Sequence, residues 1–169
     1  MVHRSQAARM TCSAMSLALA LLAIPVQAEA GPDFDRNPEG YNRRISEDPK
    51  NPMLFMARAY MYHHTGYKAG HLDLALADYT TAISLDPNLA RAYEGRGEIY
   101  EAKGDLDRAI LDYDQAIQLD QIFAQALYRR GVVKLRKGDA AAGEADIATA
   151  KKLDRGIGPV INPVTQKPM

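Results

Sequence analysis

From about residue 38 onward, apolar and polar positions recur at helical spacing. Leu76 and Ile83 stand seven residues apart and share one helix face, as do Ile110 and Ile117. Two amphipathic stretches flank a glycine in each of three successive segments, and between residues 53 and 158 the only proline is Pro87. This pattern predicts helical hairpins. Gly104-Asp105 and Gly138-Asp139 supply a glycine that ends one helix and an aspartate that caps the next, so each turn is tight. The first hairpin has a longer loop, Gly66-Tyr67-Lys68-Ala69-Gly70.

The hairpins are copies of one unit. Ala82, Ala116 and Ala150 are spaced by 34 residues, and so are Leu85, Leu119, Leu153 and Asp86, Asp120, Asp154. Ala59, Gly97 and Gly131, and likewise Gly66, Gly104 and Gly138, are spaced 38 and then 34, which places four extra residues in the first unit. Within the units run Phe55, Arg58, Ala59, Tyr62, Ala75, Tyr79 and Pro87; then Tyr93, Arg96, Gly97, Tyr100, Ala109, Tyr113 and Gln121; then Leu127, Arg130, Gly131, Lys134, Gly143, Ile147 and Arg155. In this series the chain resembles the tetratricopeptide repeat, a 34-residue helix-turn-helix whose pattern is W-x2-L-G-x2-Y, A-x3-F, P. Tyr41, Ile45, Asp48 and Pro49 align with Tyr79, Ile83, Asp86 and Pro87, so an incomplete unit leads the array.

The fold class expected from the resemblance is an all-α, right-handed solenoid with one leading half-repeat and three repeats. Its divisions are a leading helix at 38–48 within the segment 31–51, units at 52–89, 90–123 and 124–155, and a flexible tail at 156–169. Small residues are expected where helices approach closely, with Tyr79, Tyr113, Leu85 and Leu119 filling the spaces between them. In the third unit Glu144 and Lys151 replace the apolar pair of the second helix, and Ala140 replaces Leu72 and Leu106. That face is suited to water, so the array should end there.

The resemblance also implies a concave groove, lined by the first helix of each unit, that holds a peptide or protein segment. By register its residues are Met56, Tyr60 and His63, then Arg91, Glu94, Glu98 and Glu101, then Gln125, Tyr128, Arg129, Val132 and Arg136. These read as an apolar, an acidic and a basic band, or else as a solvated charged surface. Members that receive chaperone tails hold a C-terminal carboxylate with a Lys/Asn/Arg clamp, of which only Arg129 is matched here, and this ligand is not expected.

Two further ladders keep the repeat period. Arg58, Arg96 and Arg130 occupy the family's usual Leu position, and Asp78, Asp112 and Asp146 lie on the second helices. Each Arg is expected to pair with the Asp of its own unit, because an isolated buried charge is costly. His63, His64 and His71 bracket the first loop and raise the alternative of a metal- or small-ligand-binding accessory protein. No cysteine accompanies them, and consecutive helical residues point to different faces, so ordinary surface histidines are expected and no metal or cofactor is assigned.

Composition narrows the function classes. The 169 residues carry 21 Lys+Arg and 21 Asp+Glu, giving zero formal charge, which disfavours a general nucleic-acid binder. No nucleophile elbow, phosphate loop or HExxH motif is present, so catalysis is not expected. At the N-terminus, His3, Arg4 and Arg9 precede an apolar run from Ser13 to Ile24, then Pro25 and small residues, in the order of a secretory signal peptide over residues 1–30. Cleavage after Ala28 or Ala30 is expected. The apolar run is short for an uncleaved membrane anchor, and Cys12 lies ahead of it rather than after it, which disfavours lipidation. The mature chain would hold no cysteine and would be mildly acidic. The combined expectation is a non-catalytic periplasmic or secreted adaptor for envelope assembly or transport, monomeric or weakly oligomeric, without stable membrane insertion once the signal is removed.

Overall fold

The structure is a computed structural model that describes residues 38–66 and 70–158. Residues 1–37, which include the expected signal segment, residues 67–69 of the first loop and the tail from Pro159 onward lie outside the described residues. Seven helices and no strand occur among the described residues: α1 (Pro38–Glu47), α2 (Pro52–Thr65), α3 (His71–Leu85), α4 (Ala90–Ala102), α5 (Leu106–Leu119), α6 (Ala124–Arg136) and α7 (Ala140–Leu153). They form the α-solenoid: a single leading helix, then the hairpins α2–α3, α4–α5 and α6–α7, each packed against the next. None of the described helices is long and apolar enough to cross a membrane.

Local chemistry sets the helix boundaries. Asn51 caps α2 by accepting a hydrogen bond from the Met53 amide at 3.1 Å, with Pro52 in the first turn. Asp105 and Asp139 cap α5 and α7 through the Arg108 and Ala142 amides. The preceding Gly104 and Gly138 have φ of 79° and 91°, a left-handed conformation that costs a residue with a Cβ. The 34-residue recurrence of Asp86, Asp120 and Asp154 has the same kind of origin. Each leaves its helix in extended conformation, and its Oδ1 accepts from the amide two residues on, at 2.9, 3.1 and 2.8 Å.

The core is small-residue packing around tyrosines. Ala59, Ala75, Ala82 and Ala92 are fully buried around Tyr62, Tyr79 and Ile99, and Ala109 and Val133 enclose Tyr113. A Cβ built at Gly95 would lie 2.4 Å from the Tyr79 ring, and one at Gly97 would lie 2.8 Å from Tyr113. In the third hairpin the backbones themselves meet: a Cβ on Gly131 would stand 2.7 Å from the Gly143 carbonyl oxygen, and the reverse distance is the same. Leu85 departs from the expected filling role, being 38 % exposed at the end of α3. Glu144 and Lys151 are exposed, while Leu76, Ile83 and Ile110 pack against the core clusters, as the polar end of the array requires.

The Arg and Asp ladders form a repeated three-helix tie. Arg58 donates from Nε and Nη2 to Asp78, Arg96 to Asp112 and Arg130 to Asp146, all at 2.7–2.8 Å and in bidentate geometry. The remaining Nη1 reaches back to the previous unit: to Asn42 at 2.6 Å, to Thr80 at 3.5 Å and to Asp114 at 2.6 Å. Arg58 and Arg96 also lie over the rings of Phe55 and Tyr93. These bonds to the Asp partners hold the Arg58, Arg96 and Arg130 guanidiniums above their ordinary range against the opposing effect of burial. Replacing Arg96 by Ala should lower stability by about 1–3 kcal/mol, since Asp112 loses a charged partner in a half-dry setting. Asp112→Ala should add little to that loss in the double variant, which chemical denaturation of the four-member cycle measures; additive losses would show that the pair carries no coupling.

Candidate functional site

The first helices α2, α4 and α6 bring together most of the expected groove residues. Their charged side chains form one connected cluster rather than separate bands. The Glu98 carboxylate of α4 is 9 % exposed and sits between His63 of α2 and Arg129 of α6. Its Oε2 lies 3.4 Å from His63 Nδ1 and its Oε1 lies 2.6 Å from Arg129 Nε. Both nitrogens are buried without a hydrogen-bond partner despite these short distances. Glu94 joins the cluster at 3.6 Å from Arg129. One turn further, Arg136 Nη1 donates to Glu101 at 2.8 Å, and the Tyr113 hydroxyl donates to the other Glu101 oxygen at 3.2 Å.

This corrects the expectation of an acidic band beside a basic one, and equally that of a solvated charged surface. The two bands lie on the first helices of successive units, whose long Glu and Arg side chains reach one another, and Glu98 is too buried for a solvated face. Arg91 remains exposed, and Gln125, Tyr128 and Val132 are half-buried. Met56 packs against the first core cluster. Tyr60 is 54 % exposed and stacks on His64 with ring centroids 3.9 Å apart.

The histidines also differ from expectation. His63 and His64, though consecutive, turn their rings toward each other at 4.6 Å between centroids. His64 is drawn round by two contacts: its Nδ1 lies 3.0 Å from the Tyr60 carbonyl, and its ring lies on the Tyr60 side chain. His63 is half-buried rather than a surface residue. Sequence periodicity gave no sign of either contact, because neither histidine recurs in the later units.

Burial shapes the protonation of this cluster. Glu94 is pushed up to about 8, first by burial and then by the Glu98 charge and hydrogen bond, against the pull of Arg129 and Arg91. His63 is lowered, chiefly by burial, with Glu98 opposing and His64, Arg129 and His71 adding to the fall. Burial alone would lower Arg129 too, but the surrounding Glu98, Tyr113, Glu94 and Glu101 outweigh it and the net direction is up. Burial together with nearby carboxylates raises the Tyr79 and Tyr113 hydroxyls, which therefore stay protonated beneath the cluster.

The tetratricopeptide-repeat family model matches residues 67–122. Over that segment the chain is similar to the tetratricopeptide repeat. No curated protein matches the sequence. Among solved structures, MamA from residue 41 onward, of Desulfovibrio magneticus RS-1, is similar at 20 % identity with a TM-score of 0.63, over 73 % of this chain and 67 % of that one. YrrB, described as a TPR protein with an unusual peptide-binding site, is 22 % identical with a TM-score of 0.64, over 70 % of this chain and 59 % of that one. The first TPR of Spaghetti (RPAP3), bound to the HSP90 peptide SRMEEVD, is 19 % identical with a TM-score of 0.60, over 65 % and 84 %. At these identities the likeness establishes the tetratricopeptide fold.

The raised Glu94 makes a signed prediction. Its folded-state value lies above the ordinary 4.5, so its stabilising contribution is complete below that pH and is lost as pH rises through about 8. His63 acts in the opposite sense, its contribution being lost as pH falls. Glu94→Gln, which cannot ionise, should match the wild type in Tm near pH 5 and exceed it above pH 8, measured by thermal unfolding with a chelator present. A constant offset across that range would show that Glu94 does not titrate between the two conditions.

Proposed function

We propose that this chain is a non-catalytic adaptor whose tetratricopeptide groove holds a peptide or protein segment. The observation that carries the reading is the composition of the face shared by α2, α4 and α6. Tyr60 offers an exposed aromatic surface, Tyr128 and Gln125 offer half-buried amphipathic and polar contacts, and Arg91 offers an exposed charge. Such side chains lend contact area and hydrogen bonds at modest entropic cost. The peptide sites named for YrrB and the peptide bound to Spaghetti support assigning this face to the same kind of ligand.

The ligand is not an acidic tail held by a cationic clamp. Arg129 is paired with Glu98, and Arg136 with Glu101, so their charges are met within the protein. A segment with apolar or aromatic anchors fits the exposed Tyr60 and the neighbouring half-buried positions better.

The N-terminal signal-like segment supports an exported, periplasmic role in envelope assembly or transport, with the adaptor working outside the cytoplasm. Intact mass of the protein recovered from the periplasm or medium should give a chain beginning at Glu29 or Gly31; recovery of the uncleaved chain alone would defeat the export reading. For the groove, a photo-crosslinking amino acid placed at Tyr60 should capture a protein partner in the native cell. The same probe at Leu111, 67 % exposed on the second helix of its unit, should not. Equal capture at both positions, or none at Tyr60, would remove the groove from the model.

A further inference from the structure

We infer that His63, His64 and Glu98 form a binding site for a divalent transition-metal ion of the zinc class, joining the first repeat to the second. One ligand atom from each of the three lies within 4.8 Å of the others. Two donors bound at about 2.0–2.1 Å to a tetrahedral ion stand about 3.4 Å apart. That is the separation between His63 Nδ1 and Glu98 Oε2. A hydrogen bond does not explain their approach, since His63 Nδ1 is buried and makes none. In the Nε2-protonated tautomer this nitrogen presents a lone pair, and with the carboxylate oxygen across a cation-sized gap it makes a ligand pair.

His64 is oriented for the third place. A carbonyl can only accept, so the contact to Tyr60 fixes the proton on His64 Nδ1 and leaves the Nε2 lone pair for a metal. This is the usual support for a ligating histidine: the second nitrogen donates to a backbone carbonyl and fixes the tautomer. Stacking on Tyr60 holds the ring plane. His64 is exposed, so a small rotation of its side chain can close the remaining distance. On the other side, Arg129 holds the second oxygen of Glu98, Oε1, and leaves Oε2 to the histidines. Three protein ligands with an exposed member leave the fourth position to water. Two nitrogens and one oxygen select zinc-class ions over calcium or magnesium, which prefer all-oxygen sets.

The site is tested separately from the groove reading, because metal binding is read without any peptide. Its test is calorimetric titration of the full, chelator-treated chain with zinc chloride, alongside the His63→Gln, His64→Gln and His71→Gln variants. The expected result is one equivalent bound by the wild type, with affinity weakened about tenfold or more by the His63 and by the His64 substitution. Cobalt(II) should give the intense visible absorption of a four- or five-coordinate centre, lost in His64→Gln. Because His64 is exposed, that variant should keep its helical circular dichroism. Wild-type chain without zinc affinity, affinity unchanged in His64→Gln, or loss confined to His71→Gln would each overturn the assignment.

Discussion

Each arginine of the ladder is bonded to three places at once, and the stacking of the hairpins follows from that geometry. A repeat has no core of its own; it buries its apolar face only against its neighbours. The bidentate bond to Asp78, Asp112 or Asp146 fixes the two helices of a hairpin against each other. The third nitrogen, directed to Asn42, Thr80 or Asp114, fixes that hairpin against the unit before it. Only a guanidinium has a planar fork for the carboxylate and a donor left over for a second helix. Lys103 with Asp73 and Lys137 with Asp107 repeat the linkage between units at the turn edge.

Close helix approach then decides the chemistry of the inner face. Glycines at 95, 97, 131 and 143 remove the side chains that would hold the helices apart. On the inner face the long side chains of successive first helices bridge the units, with Glu98 meeting both His63 and Arg129 and Arg136 reaching Glu101. Paired in this way, the charges of the groove shape one another rather than wait for a ligand. The consequences are a Glu94 carboxyl held above its ordinary range and a His63 imidazole held below its own. What remains for recognition is aromatic and polar surface around Tyr60, Gln125 and Tyr128.

The solenoid was legible in the sequence because its determinants repeat. The glycine-aspartate turns at 104–105 and 138–139, the buried Tyr79 and Tyr113, the Arg and Asp ladders, and the change to Glu144 and Lys151 at the last helix all depend on local geometry copied every 34 residues. Side-chain meetings that occur once leave no such trace. The Glu98 cluster joins three helices whose members are separated by more than thirty residues, and its signs, read along the chain, divided into an acidic and a basic stretch. Only the lateral spacing of α4 and α6 turned these into pairs. Likewise helical periodicity placed His63 and His64 on diverging faces, but rotation of the His64 ring onto Tyr60 brought them together, since side-chain torsions are set by neighbours rather than by register. The sequence by itself therefore determined the repeat, its caps and the polar face of the last described helix. Tertiary structure decided protonation and ligand geometry on the inner face, because both depend on distances between helices and on the water those helices exclude.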